Sequence, residues 1–157
     1  MTGIDAIGRG RFTPQKQEHF SVFFRQYVDV WKAVAGKNWW VDKTMTVLDI
    51  TAGSGTHPET GKPGSPLIIM NTLEEKGVPY QAFFIEKDRE NFEKLSTTLH
   101  KYHPQCAGEI IMRCGDHVEV LPQLVSEHIN LNPQPLGLLY YDFTTQDFDR
   151  SFRCIAD

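Results

Sequence analysis

A chain of 157 residues with 40% hydrophobic and 23% charged residues suits one domain, far from disordered or collagen-like compositions. A net charge of −4 argues against a global positive field for nucleic acid, and three cysteines without a CxxC pair argue against a disulfide framework or zinc ribbon. The polar start Met1 to Arg11 lacks a secretory apolar core, and no apolar run approaches the ~20 residues that span a bilayer, so a cytoplasmic protein with reduced thiols is expected.

Residues 14 to 35 place Phe20, Phe23, Phe24, Tyr27, Trp31 and Val34 at helical spacing, with Pro14 near the start and Gly36 past the end, which predicts an amphipathic helix with a packed aromatic face. From Thr46 the period alternates. Thr46 to Thr51 reads as strand one, Ser65 to Lys76 as a helix, Tyr80 to Glu86 as strand two and Arg89 to Tyr102 as a helix. Glu109 to Cys114 reads as strand three, His117 to Ile129 as a helix and Gly137 to Phe143 as strand four. Short apolar strands without clean alternation predict an α/β, Rossmann-like domain with a mostly parallel sheet and helices on both faces. The economical division is a helical extension over 1–45 packed on a cofactor-binding unit over 46–157, in one domain overall.

Ligands of an open parallel sheet bind beyond the carboxyl ends of its strands, where strand order reverses, and strand one is expected there. It runs into Asp49-Ile50-Thr51-Ala52-Gly53-Ser54-Gly55, where Gly53 and Gly55 let the backbone turn tightly and approach a ligand. Glu86 closes strand two, placed to accept both hydroxyls of a ribose, and Asp116 follows strand three, placed to accept from an adenine amino group. A dinucleotide fingerprint needs a third glycine with a helix N-terminus close behind, but Pro58 stands there, inside the loop Thr56 to Gly64. A ligand without phosphates fits better. S-adenosylmethionine is one, with an amino-acid tail that backbone groups and Asp49 can hold.

The segments DITAGSG, FFIEKD, RCGDHVEVLP and LLYYDF resemble successive motifs of class I S-adenosylmethionine-dependent methyltransferases. More narrowly, KQEHFSVFFRQYVDVW, GSPL and IEKD are similar to the three-Cys-motif partner family, which has that fold. The resemblance implies strand order 3-2-1-4 and ligand contacts from Asp49, Ala52, Gly53 and Gly55. It implies that Glu86 holds the ribose with Lys87 and Asp88 flanking the adenosine, and that Asp116 and His117 lie near the adenine. Asp142, ending strand four, would face the transferred methyl and its acceptor as the catalytic candidate. Where the amino-methylating branch carries proline after this acid, the chain has Phe143-Thr144-Thr145.

His100, His103 and Cys106 form an incomplete ligand set interrupted by Pro104, so no metal site is expected. Cys114 is expected to be a small core residue, and His57 a solvated loop residue. The scattered Lys37, Lys43, Lys62 and Lys87 trace no nucleic-acid groove. Strands five to seven of the family's seven-stranded sheet are expected to be missing, leaving strand four exposed or paired with a second copy or a partner subunit. Two readings follow: a methyltransferase-like protein that binds S-adenosylmethionine, with an unidentified acceptor, or a non-catalytic interaction module retaining a degenerate half-sheet.

Overall fold

The strands β1 (Met45–Asp49), β2 (Tyr80–Glu86), β3 (Glu109–Cys114) and β4 (Gly137–Tyr140) form one parallel sheet in order β3-β2-β1-β4. They come from a computed structural model that describes residues 13–142. Helices α1 (Thr13–Lys37), α2 (Ser65–Lys76), α3 (Arg89–Tyr102) and α4 (His117–His128) alternate with them. A parallel strand needs a long crossover to its neighbour, and helices that supply it also cover the sheet. No helix among the described residues is long and apolar enough to cross a membrane.

Side chains alternate across β2, and the core divides accordingly. Ala82 and Phe84 join Met45, Val47 and residues of α1, α2 and α3 on one face, whereas Phe83 and Ile85 meet Leu121 and Leu124 of α4 on the other. Phe24, Phe83, Phe84, Ile69 and Met70 are fully buried, and full burial of each such side chain contributes ~1.5–3 kcal/mol before entropy is counted.

Helix α1 buries the row Phe20, Phe24, Val28, Trp31 and Ala35. The expected stripe was therefore rotated slightly: Val28 belongs to it, while Phe23 is half exposed. Its middle turns are tied to a neighbour. Tyr27 Oη donates to the Gly137 carbonyl and Trp31 Nε1 to the Leu136 carbonyl at 2.7 Å, so α1 fastens the start of β4. Gly137 is required there, because a Cβ would lie 1.7 Å from the Thr46 carbonyl oxygen on β1.

The bounds of α2, β2, α3 and β3 coincide with those read from sequence. Local signals explain this. Asp88 accepts from Asn91 N–H at 2.8 Å to start α3, Asp116 accepts from Val118 N–H at 3.0 Å to start α4, and Gly77 closes α2 in the left-handed region. Strand β1 ends at Asp49 rather than Thr51, because Ile50 and Thr51 already enter the turn. Strand β4 ends at Tyr140, and the Phe143-Thr144-Thr145 corner lies outside the described residues. Cys114 is not a core residue: it is exposed, because β3 is an edge strand whose last residues face solvent.

Candidate functional site

The carboxyl ends of all four strands meet at one edge of the sheet. Past β1 the chain is held on both sides, Ile50 N–H donating to the Tyr140 carbonyl at 3.2 Å and Ala52 N–H to the Ile85 carbonyl at 3.0 Å. The turn proper then needs left-handed backbone at Gly53 (φ 62°) and Gly55 (φ 83°). A Cβ at Gly55 would also stand 3.0 Å from Thr98 Cγ2, so packing against α3 adds to the demand for glycine.

The loop after this turn folds back on itself. Thr56 bridges Pro63, His57 N–H donates to the Lys62 carbonyl at 2.8 Å, and Gly61 N–H donates to the His57 carbonyl at 2.8 Å. His57 Nδ1 accepts long contacts of 3.3 Å from the Glu59 and Thr60 N–H groups, so this ring helps organise the loop. Gly64, the cap residue of α2, thereby donates its N–H to the Gly55 carbonyl at 2.8 Å. The helix N-terminus that Pro58 and the loop remove in sequence is restored in space. Distance along the chain is thus no argument against a phosphate seat, which leaves charge as the deciding term.

That charge is negative. Asp49 is fully buried at the end of β1; its Oδ1 accepts from Thr51 N–H at 3.2 Å and its Oδ2 has no hydrogen-bond partner. Burial pushes its carboxyl up to about 7, against smaller lowering effects from the Ser65 side chain and Thr51 backbone; the Glu86 and Asp142 charges add slightly to the rise. Glu86 stands at the end of β2 with Oε2 accepting from Gly53 N–H at 2.7 Å and Oε1 from Asp88 N–H at 2.8 Å. It ties the glycine turn to the next strand. Its backbone carbonyl also receives Gly115 N–H at 3.0 Å, joining the β3 end to the same edge.

Asp116 caps α4 and lies 3.5 Å from Lys87 Nζ. His117 Nδ1 is 3.8 Å from Asp116 Oδ1, and its ring sits 5.2 Å from that of Tyr141 at 51°. At the β4 end Asp142 N–H donates to Thr51 Oγ1 at 2.9 Å, while its Oδ1 accepts from Lys16 Nζ at 3.1 Å. Tyr140, whose ring meets that of Phe20 tilted at 36° with centroids 4.1 Å apart, has its hydroxyl pushed above the usual tyrosine range by burial, then by Asp142 and Asp49.

The expected set of Asp49, Ala52, Gly53, Gly55, Glu86, Lys87, Asp116, His117 and Asp142 is therefore gathered along one sheet edge. Ala52 is buried in the core, so only its backbone is suited to a ligand. Sequence reasoning missed Ser65 beside Asp49, Lys16 on Asp142 and Tyr141 on His117. Only Ser65 carried a local signal, as the first residue of a helix beginning Ser-Pro. His103 Nε2 instead meets Asn71 Oδ1 at 3.1 Å, and Cys106 Sγ donates to the Gly108 carbonyl at 3.3 Å.

A groove of about 660 Å³ opens at the opposite end of the sheet, among Asp42, Thr44, Gln81, Glu109 and His128. Its carboxylates are already engaged, Asp42 by Thr44 N–H at 2.8 Å and Glu109 by Gln81 Nε2 at 2.7 Å. The unpartnered carboxylate oxygen, the left-handed glycines and the strand-end acids all lie at the other edge. No known family model, curated protein or solved structure matches this chain.

Proposed function

We propose that the chain binds S-adenosylmethionine at the carboxyl edge of its sheet and acts as a methyltransferase-like protein. The observation that carries this reading is the Glu86 carboxylate, held by the N–H groups of Gly53 and Asp88 beside the orphaned buried oxygen of Asp49. Two N–H bonds leave a carboxylate with lone pairs free for the two hydroxyls of a ribose. Strand-end acids, with Lys16 and Lys87 each already beside a carboxylate, favour a cationic ligand over a pyrophosphate. The fit to the ligand's chemistry supports the assignment.

When bound, the ligand supplies an electrophilic methyl group on a sulfonium. The chain's part is to bind and align. Glu86 orients the ribose, the backbone of Gly53 to Gly55 gives close approach, Asp49 meets the amino-acid tail, and Asp116 and His117 bracket the base. Asp142 orients the acceptor or takes its proton, and alignment of this kind can lower a barrier by several kcal/mol, up to roughly 10. The Lys16–Asp142 pair favours a second reading, a binding module without transfer, in which this acid is structural. We place the protein in the cytoplasm, with a second copy or partner subunit against the β4 edge.

Isothermal titration with S-adenosylmethionine tests the binding. Saturable heat is expected, with Glu86→Gln weakening affinity about tenfold or more and Asp142→Asn changing it less than about threefold, each roughly the value of one charge-assisted contact kept or lost. A folded wild-type sample with no heat at millimolar ligand overturns the reading. Transfer to cellular protein or nucleic acid, followed by mass spectrometry and lost in Asp142→Asn, separates the enzyme from the binding module.

A further inference from the structure

The Asp49 side chain is fully buried and holds an oxygen that nothing in the fold satisfies. Such an atom costs free energy unless it carries a proton or meets a partner on binding. The groups around it are known. From β2 comes Glu86, from the β4 end come Asp142 and the Tyr140 hydroxyl, from α2 comes Ser65, and the turn supplies Thr51 N–H. Lys16 of α1 is bonded to Asp142. No described lysine or arginine bonds to Asp49.

Of these carboxyls only Asp49 is cut off from water, and a carboxyl so buried holds its proton more readily than neighbours that solvent reaches. Glu86 accepts from two N–H donors, and Asp142 from a lysine. Asp49, by contrast, has one long N–H contact, the Ser65 side chain beside it and an oxygen without a hydrogen-bond partner. Its burial favours the protonated form.

We propose that the ligand of this edge places a positive charge against Asp49, and that the proton held by Asp49 leaves for the solvent as the ligand binds. The inference rests on the binding reading above and adds a regulation to it. One O–H bond breaks, one proton passes to the buffer, and the new carboxylate is neutralised by the incoming cation. Burial, which already holds this carboxyl near neutrality, makes the exchange responsive to small pH changes. The same arrangement disfavours a phosphate-bearing ligand, because a second anion would leave Asp49 protonated and stand against the Glu86 carboxylate.

Titration of the full chain with S-adenosylmethionine between about pH 5.5 and about pH 7 tests this, because an α-amino group stays protonated over that range. Running each titration in phosphate and in a buffer of large ionisation heat counts the protons released. Affinity is expected to rise roughly tenfold from about pH 5.5 to about pH 6.5, with close to one proton released per ligand near pH 6. His117→Gln, which removes an imidazole from this edge, should retain the release, and Asp49→Asn should abolish it.

Binding whose affinity and heat are independent of pH and buffer overturns the proton coupling and leaves the binding reading standing. Release that survives Asp49→Asn and vanishes in His117→Gln overturns the assignment to Asp49. If Asp49→Asn does not fold, the wild-type and His117→Gln titrations still decide. Absence of binding at every pH overturns both the coupling and the reading beneath it.

Discussion

At the scale of single residues, Asp49 has a consequence in the free protein. Its carboxyl titrates near the ordinary value when the chain is unfolded and at about 7 when folded, chiefly because burial disfavours the charge. Between those values the folded state binds more protons than the unfolded one, so stability falls as pH rises. The contribution is fully present in acid, is lost through neutrality and is flat above. Asp49→Asn cannot ionise. Urea unfolding at a series of pH values should show the variant gaining on wild type between about pH 4 and pH 7, by a few kcal/mol in all, then running parallel. A gap that does not change with pH would place the proton elsewhere. Nothing in the residues near position 49 announces this behaviour, since it arises chiefly from burial by elements distant in sequence, with Glu86 and Asp142 adding slightly.

At the scale of elements, much was legible where the determinants are local. Apolar period and cap residues sit within a few positions of each other, so α2, β2, α3 and β3 could be bounded from sequence. Where a neighbour decides, the reading drifted. Whether Cys114 is covered depends on whether a strand pairs outside β3, and the rotation of the α1 stripe depends on which of α2 and β4 it meets. The approach of Gly64 to Gly55 depends on a loop folding back, which no pattern in Thr56 to Gly64 states.

The strand-end acids also divide at this scale. Asp88 and Asp116 both start helices, yet only Asp116 belongs to the proposed ligand set. Asp88→Ala should cost about 1 kcal/mol of stability, as loss of a cap does, and leave ligand affinity within about threefold. Asp116→Ala should cost a similar amount in stability and weaken binding as well. Paired thermal melts and titrations would show it, and equal effects on binding would mean that Asp116 acts only as a cap.

At the scale of the whole molecule, the sheet is graded from centre to edge. Strands β1 and β2 pair on both sides and carry the fully buried residues of the sheet, whereas β3 is exposed at both ends and β4 half-buried along its length. Native-state hydrogen exchange should therefore find the slowest amides in Val47, Leu48 and Ala82 to Phe84, with β3 exchanging at least about tenfold faster, as sub-global opening of an edge predicts. Uniform protection across all four strands would contradict this gradient.

The Lys16–Asp142 pair carries a different lesson. It joins positions 126 apart in sequence, and the Tyr27 and Trp31 bonds to β4 span 110 and 105. The first helix of the described chain therefore finds part of its seat only after the last strand has been made and threaded beside β1. Entropy charges little for so long a closure, roughly (3/2)RT ln n, but it delays the event. During synthesis α1 would emerge early and wait with its aromatic row uncovered. The newborn chain is thus most exposed to association along Phe20, Phe24 and Trp31, and it leaves that state when β4 arrives.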